Sequence, residues 1–333
     1  MKVVPLPLAN PPVRNREGAP EPPLSLSKGP AFGTWESPSL QSPRVIARID
    51  APSPLALWHL ASFDAPTVAV VWALGFAWSA RVRLPLWVPA LLALVTWSVY
   101  IGDRLLDARA GLRSPHRRHL RKRHFFHWRH RHILIPLAIA SACAAAAIVF
   151  SLMSVATRAS DSVLAAAALA YFSGVHSQRR PPAWLAPLLS KEFLVAVLFT
   201  AGCALPACSR LCASVGPGPP LWPFCALVIY FAAVAWLNCH AIERWESRKR
   251  RPRATGILPL GCALGLAGLF LAVLASAAHP RSAVLLAAGA ASALLLALLD
   301  SRRNRLPPLS LRAAADLVLL TPVLFIPLAR LLV

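Results

Sequence analysis

Apolar runs of bilayer-crossing length recur along this chain from about residue 62 to its C-terminus, each parted from the next by a short segment rich in charge or proline. A helix needs about 20 mostly apolar residues to cross a hydrocarbon core. Backbone polar groups in lipid must satisfy one another, which leaves only helices and closed barrels. No alternating strand pattern of the barrel kind is present. The fold class is therefore read as all-α, a polytopic membrane helix bundle. With 57% hydrophobic and 14% charged residues over 333 positions, and a mean hydropathy of +0.56, a soluble globule is excluded.

The pattern predicts about nine transmembrane helices, over roughly 62–80, 84–102, 133–153, 161–177, 188–206, 220–241, 255–278, 281–300 and 311–332. Prolines punctuate several boundaries, with Pro181, Pro182 and Pro187 before the fifth run, Pro219 and Pro220 before the sixth, and Pro307 and Pro308 before the ninth. Residues 1–53 are rich in Pro, Ser and charge without apolar periodicity, and read as a disordered tail ahead of a transmembrane domain at 60–333. No signal peptide is expected, because the first long apolar run starts some sixty residues in and lacks a small-residue cleavage site.

A formal charge of +22 raises the question of a nucleic-acid partner, but the cations lie in particular loops rather than on one stripe. The segment after the second run holds Arg109, Arg113, Arg117, Arg118, Arg121, Lys122, Arg123, Arg129 and Arg131, and that after the sixth holds Arg244, Arg248, Lys249, Arg250, Arg251 and Arg253. Smaller basic groups follow the fourth and eighth runs, whereas the intervening loops carry only one or two cations each. This alternation is the positive-inside pattern. It implies a multi-pass protein of the plasma (inner) membrane, N-terminus cytoplasmic and C-terminus outside, with membrane lipids and no nucleic acid as partners.

Of seven cysteines, Cys143, Cys225, Cys239 and Cys262 fall in apolar runs and read as small core residues. Cys203, Cys208 and Cys212 cluster between two runs, where an oxidising compartment would allow one disulfide.

The carboxylates are few, and their places are informative. Asp103 and Asp107, spaced i, i+4 on one helix face, stand where the second apolar run gives way to the basic segment. Such a pair near a bilayer edge is costly without a cationic partner. It reads either as a Mg²⁺ site shared with a substrate diphosphate or as interfacial salt bridges to Arg104, Arg109 or Arg244. At the end of the sixth run, Asn238, Glu243 and Glu246 occupy the equivalent position, either as further oxygen ligands or as counter-charges to the cations that follow. The histidines of the basic segment, His116 to His132, interleave with arginine around Phe125, Phe126 and Trp128. They read as an amphipathic cap whose arginines hold phosphate, as a lipid-facing basic surface, or as a zinc or nickel site through His124 and His127. Between Tyr171 and Glu192 lie Arg179, Arg180 and Lys191, where the lysine either reaches a phosphate or snorkels to the interface.

Nine helices, an Asp-x-x-x-Asp closing the second, a basic segment after it and an acidic group closing the sixth resemble the UbiA superfamily of intramembrane prenyltransferases, over residues 60–333. Val99 stands where that family's first motif usually has Asn, and Asn238, Glu243 and Glu246 stand where its second usually has aspartates. The resemblance implies Mg²⁺ as cofactor, held by Asp103, Asp107, Glu243 and Glu246 as catalytic residues. It implies a prenyl diphosphate met by Arg104, Tyr171, Arg179, Arg180, Lys191, Asn238 and Arg244, and transfer of the prenyl group to an aromatic or other lipophilic or polar acceptor. The chemistry would be ionisation of the diphosphate in a preorganised, water-excluding site. Two other readings stay open: a UbiA-like protein that binds lipid or isoprenoid without catalysis, and a small transporter or scaffold. Against a transporter, no internal repeat or pair of matching broken helices is visible.

Overall fold

The structure is a computed structural model and describes residues 54–113, 122–176, 190–214, 221–246 and 256–332. The predicted tail, Arg179 and Arg180, and the tips of the basic segments lie outside the described residues. Every regular element among the described residues is helical: α1 (Pro54–Leu60), α2 (Asp64–Ser79), α3 (Trp87–Arg113), α4 (Lys122–Arg129), α5 (Arg131–Leu152), α6 (Val155–His176), α7 (Lys191–Ser214), α8 (Trp222–Glu246), α9 (Ile257–Ser276), α10 (Pro280–Arg302), α11 (Pro308–Leu317) and α12 (Pro322–Leu332), with short 3-10 turns at 303–305 and 318–320. Seven helical stretches are long and apolar enough to cross a membrane, and an eighth is reached if α1 and α2, bent by 89° at their junction, count as one broken span. A helix also covers the predicted fourth run, as α6, but it falls short of that apolarity.

The outer helices are apolar outward. Along α5 only 11% of the most apolar window is buried, against 61% along α10, and Ile133, Ile139 and Phe150 of α5 are all more than half exposed. This is the inside-out distribution expected where the surrounding solvent is hydrocarbon. Helix α10 is the central post. It packs most closely against α9, where a Cβ on Gly261 would stand 2.8 Å from the Ala293 carbonyl and one on Gly265 only 2.6 Å from Leu294 Cγ. Small residues at these positions let two backbones approach, the usual basis of helix association in lipid.

An aromatic stack joins α2 to α8. Trp72 and Phe231 rings lie 3.8 Å apart and nearly parallel, and Phe76 meets Phe224 edge-on at 5.9 Å. On its other side Trp72 donates from Nε1 to the Leu319 carbonyl at 2.8 Å. That carbonyl sits at a break in the last span, between α11 and α12. Pro322 has no N–H, so the Val318 carbonyl four residues earlier loses its helical donor. The Ser292 hydroxyl of α10 supplies the replacement at 2.7 Å, while Thr321 Oγ1 donates back to the Ala288 carbonyl at 2.8 Å. The last span is thus interrupted by a 3-10 turn at 318–320 and pinned there to α10.

The turn between α1 and α2 is tight. Ser62 has φ +58°, in the left-handed region, and is fully buried, with its hydroxyl 3.2 Å from His127 Nε2 of α4. The basic segment is thereby folded under the start of α2. His124 and His127 are both buried, a spacing that turns them into the protein, and no metal-holding group includes them among the described residues.

Candidate functional site

The ends of α3, α6, α8 and α10 and the starts of α2, α7, α9 and α11 fall on one side of the bundle, because consecutive helices run antiparallel. Two polar clusters form there. The first gathers on α3. Helix α3 continues past the predicted end of its run to Arg113, so Asp103 and Asp107 stand on successive turns of one regular helix. Lys191, at the first position of α7, brings its Nζ to 3.9 Å from Asp103 Oδ1, with the two side chains 46% and 30% exposed. At that separation and exposure the pair contributes little to stability, and the ammonium stays available to another anion. Tyr171 of α6 has the carboxylates of Asp103, Glu192 and Asp107 in its electrostatic surroundings. Glu192 and Glu243, from α7 and α8, lie close enough for each carboxyl group to perturb the other.

Two carboxyl groups set side by side need a proton or a cation between them, since two bare carboxylates repel. Asp103, Asp107, Glu192 and Glu243 offer the oxygen donors that a hard divalent cation such as Mg²⁺ takes, although no three of them bring ligand atoms within 4.8 Å of one another. Glu192 was not among the residues singled out by sequence. Its signal is its place, an acid in the first turn of a membrane-crossing helix directly opposite the second motif.

The second cluster is deeper and draws in residues that sequence reasoning placed with the first. His59 Nδ1 donates to Asp64 Oδ2 at 2.7 Å and lies 3.6 Å from Asp316 Oδ2. His59 and Asp64 are almost wholly buried. Asn238 donates from Nδ2 to Asp316 Oδ1 at 3.2 Å, and Glu246 accepts from Arg312 Nη1 at 2.9 Å. Arg104 is buried, its guanidinium 5.9 Å from the Tyr100 ring centroid, with Asp64 and Arg312 among its electrostatic neighbours. Asn238 and Glu246 are therefore engaged by α11, and Arg104 is buried with Asp64, Arg312 and Asp103 all among its neighbouring charges. Arg244 is exposed on the last turn of α8.

Beside the second cluster lies a cavity of about 30 Å³, lined by Tyr100, Asn238, Cys239 and Asp316 on its polar side and by Val68 and Phe199 among its apolar walls. That is room for one or two waters. Sequence could have flagged Asp316, because it interrupts the run Ala313-Ala314-Ala315-Asp316-Leu317-Val318. An ionisable residue inside a spanning segment is expensive and marks function by default. Nothing local could have shown that His59, 257 positions away, is its neighbour.

Comparison with family models, with curated proteins and with solved structures finds no match for this chain. The arrangement of its own residues is the basis for a functional reading.

Proposed function

We propose that this chain is a divergent UbiA-like intramembrane prenyltransferase, with nine membrane crossings, that uses Mg²⁺ to transfer a prenyl group from a prenyl diphosphate to an aromatic or other lipophilic acceptor. The observation that supports it most is the pairing of Lys191 with Asp103, on the helix that also carries Asp107, with Tyr171, Glu192 and Glu243 from three other helices in the electrostatic surroundings of that pair. A ninth crossing requires α6 to span. Its 22 residues reach about 33 Å at roughly 1.5 Å per residue, enough for a hydrocarbon core. The loop charges support a cytoplasmic N-terminus and an outward C-terminus.

In this reading Asp103, Asp107 and Glu243, with Glu192, would hold Mg²⁺, which supplies charge neutralisation for the departing diphosphate. Lys191 offers a second positive group to the same phosphate oxygens. The C–O bond of the prenyl diphosphate breaks, the diphosphate leaves with the electron pair, and the allylic carbon is attacked by the acceptor, which then loses a proton. Tyr171 closes one side of the cluster, and the apolar helices keep water from the reacting carbon. The cavity, about 30 Å³, is too small for an isoprenoid chain, so binding requires α3, α7 and α8 to part.

One observation favours the non-catalytic alternative of a lipid or isoprenoid binder. Glu246 and Asn238 are engaged by Arg312 and Asp316, which leaves the second motif to offer only Glu243 to the first cluster. Binding of a labelled prenyl diphosphate in nanodiscs, with Mg²⁺ and then with a chelator, tests both. Saturable binding is expected in the wild type, with at least a tenfold loss in chelator and in Asp103→Asn/Asp107→Asn. Full binding by that folded double variant would refute the metal-diphosphate site, and product formed from an acceptor panel separates enzyme from binder.

A further inference from the structure

We infer that His59, Asp64 and Asp316 form a second cation site, for a divalent first-row transition metal, built separately from the Asp103 cluster. One ligand atom from each residue can be chosen so that all three lie within 4.8 Å of one another. They come from three elements, α1, α2 and α11, so the fold, and no local sequence motif, brings them together. The 2.7 Å between His59 Nδ1 and Asp64 Oδ2 is slightly less than the separation of two ligands on one small cation. A shift of a few tenths of an ångström would open it.

A further observation points to a ligand. Asn238 is buried and lines the cavity together with Asp316, yet its Oδ1 has no hydrogen-bond partner. A buried amide oxygen without a partner costs free energy of the order of 1–3 kcal/mol. Rotating the Asn238 amide by half a turn would put Oδ1 where Nδ2 stands, 3.2 Å from Asp316 Oδ1. Two oxygens face each other at that distance with a cation or a proton between them. The adjoining cavity, about 30 Å³, accommodates the water ligands that such an ion would keep and nothing as large as a lipid.

Charge is consistent with this assignment. With His59 neutral, the carboxylates of Asp64, Asp316 and Glu246 face the guanidinium groups of Arg104 and Arg312, leaving one negative charge over within a membrane-buried group. An imidazole with two carboxylates and an amide oxygen selects Zn²⁺, Co²⁺ or Mn²⁺ over Mg²⁺, which avoids nitrogen ligands and demands oxygen octahedra. The two clusters thus differ in ligand chemistry: oxygen donors on the α3 side, nitrogen and oxygen donors under α11.

Co²⁺ is the probe, because its visible absorption reports coordination directly. The purified full chain in nanodiscs, carrying Asp103→Asn/Asp107→Asn so that the first cluster is silenced, is titrated with Co²⁺. A band saturating near one equivalent is expected. It should be lost, with affinity at least tenfold weaker, on adding His59→Gln and, separately, Asp316→Asn. The near-isosteric Asp316→Asn is the safer of the two for folding, which the metal-free melting profile checks. No band, or a band that persists in either folded variant, overturns the site; persistence would place Co²⁺ on the histidines of the basic segment instead.

Discussion

Replacing Trp72 by phenylalanine isolates the contact that holds the broken last span against the bundle. Trp72 is fully buried, stacks on Phe231 at 3.8 Å and donates to the Leu319 carbonyl at 2.8 Å. Phenylalanine keeps a ring on Phe231 but removes the donor, leaving a buried carbonyl short of a partner, at a cost of about 1–3 kcal/mol. The smaller ring also vacates about 40 Å³, worth roughly 1 kcal/mol at about 24 cal/mol per Å³. No transfer term adds to this, because lipid is as apolar as the core it replaces. The expected loss is about 2–4 kcal/mol, or a fall in Tm of about 4–8 °C at roughly 2 °C per kcal/mol for a bundle of this size. Trp222, 58% exposed, is the control, and Trp222→Phe should move Tm by no more than about 1 °C. Thermal unfolding followed by size-exclusion in one detergent reads both. If Trp72→Phe melts within 1 °C of Trp222→Phe, the pinned 3-10 turn is not what orders α11.

Glycine placement and the second motif give two more tests. Gly261→Ala drives a methyl into the Ala293 backbone carbonyl, an obstacle that cannot turn aside, whereas Gly102 has nothing within 4 Å of a built Cβ. Gly261→Ala should therefore cost about 1–3 kcal/mol, and Gly102→Ala should stabilise by up to about 1 kcal/mol; equal Tm shifts would contradict the close α9–α10 packing. Glu243→Gln should weaken Mg²⁺-dependent prenyl diphosphate binding at least fivefold with little change in Tm. Glu246→Gln, by loosening the Arg312 pair, should do the reverse, lowering Tm while leaving that binding within twofold.

How far the sequence could be read depended on whether each signal was local. Apolar run length is local, and it located a helix in every predicted stretch, because a backbone in lipid has no other way to satisfy its polar groups. The i, i+4 spacing of Asp103 and Asp107 is local too, and α3 carries both on one continuous helix. Rotation about a helix axis is not local. Arg104, between the two aspartates in sequence, is turned about a quarter of the way round the helix and is buried against Tyr100, and Glu246, one turn after Glu243, belongs to Arg312. Helix α6 covers the fourth predicted run but is less apolar than the other spans, since Arg158 and Asp161 dilute it.

By itself the chain's order of apolar and charged residues determined that this protein is a helical membrane bundle with its carboxylates gathered toward one side. Periodicity and span length act within a single helix and need no partner. Which carboxylates meet was decided only in three dimensions. His59, Asp64 and Asp316 share one nitrogen's surroundings because Ser62 turns α1 back on α2 and because Ser292 and Trp72 hold the 3-10 turn before Pro322 in place. Two of those contacts, Trp72 to Leu319 and His59 to Asp316, join residues more than two hundred positions apart, and no pattern along the chain encodes their distance.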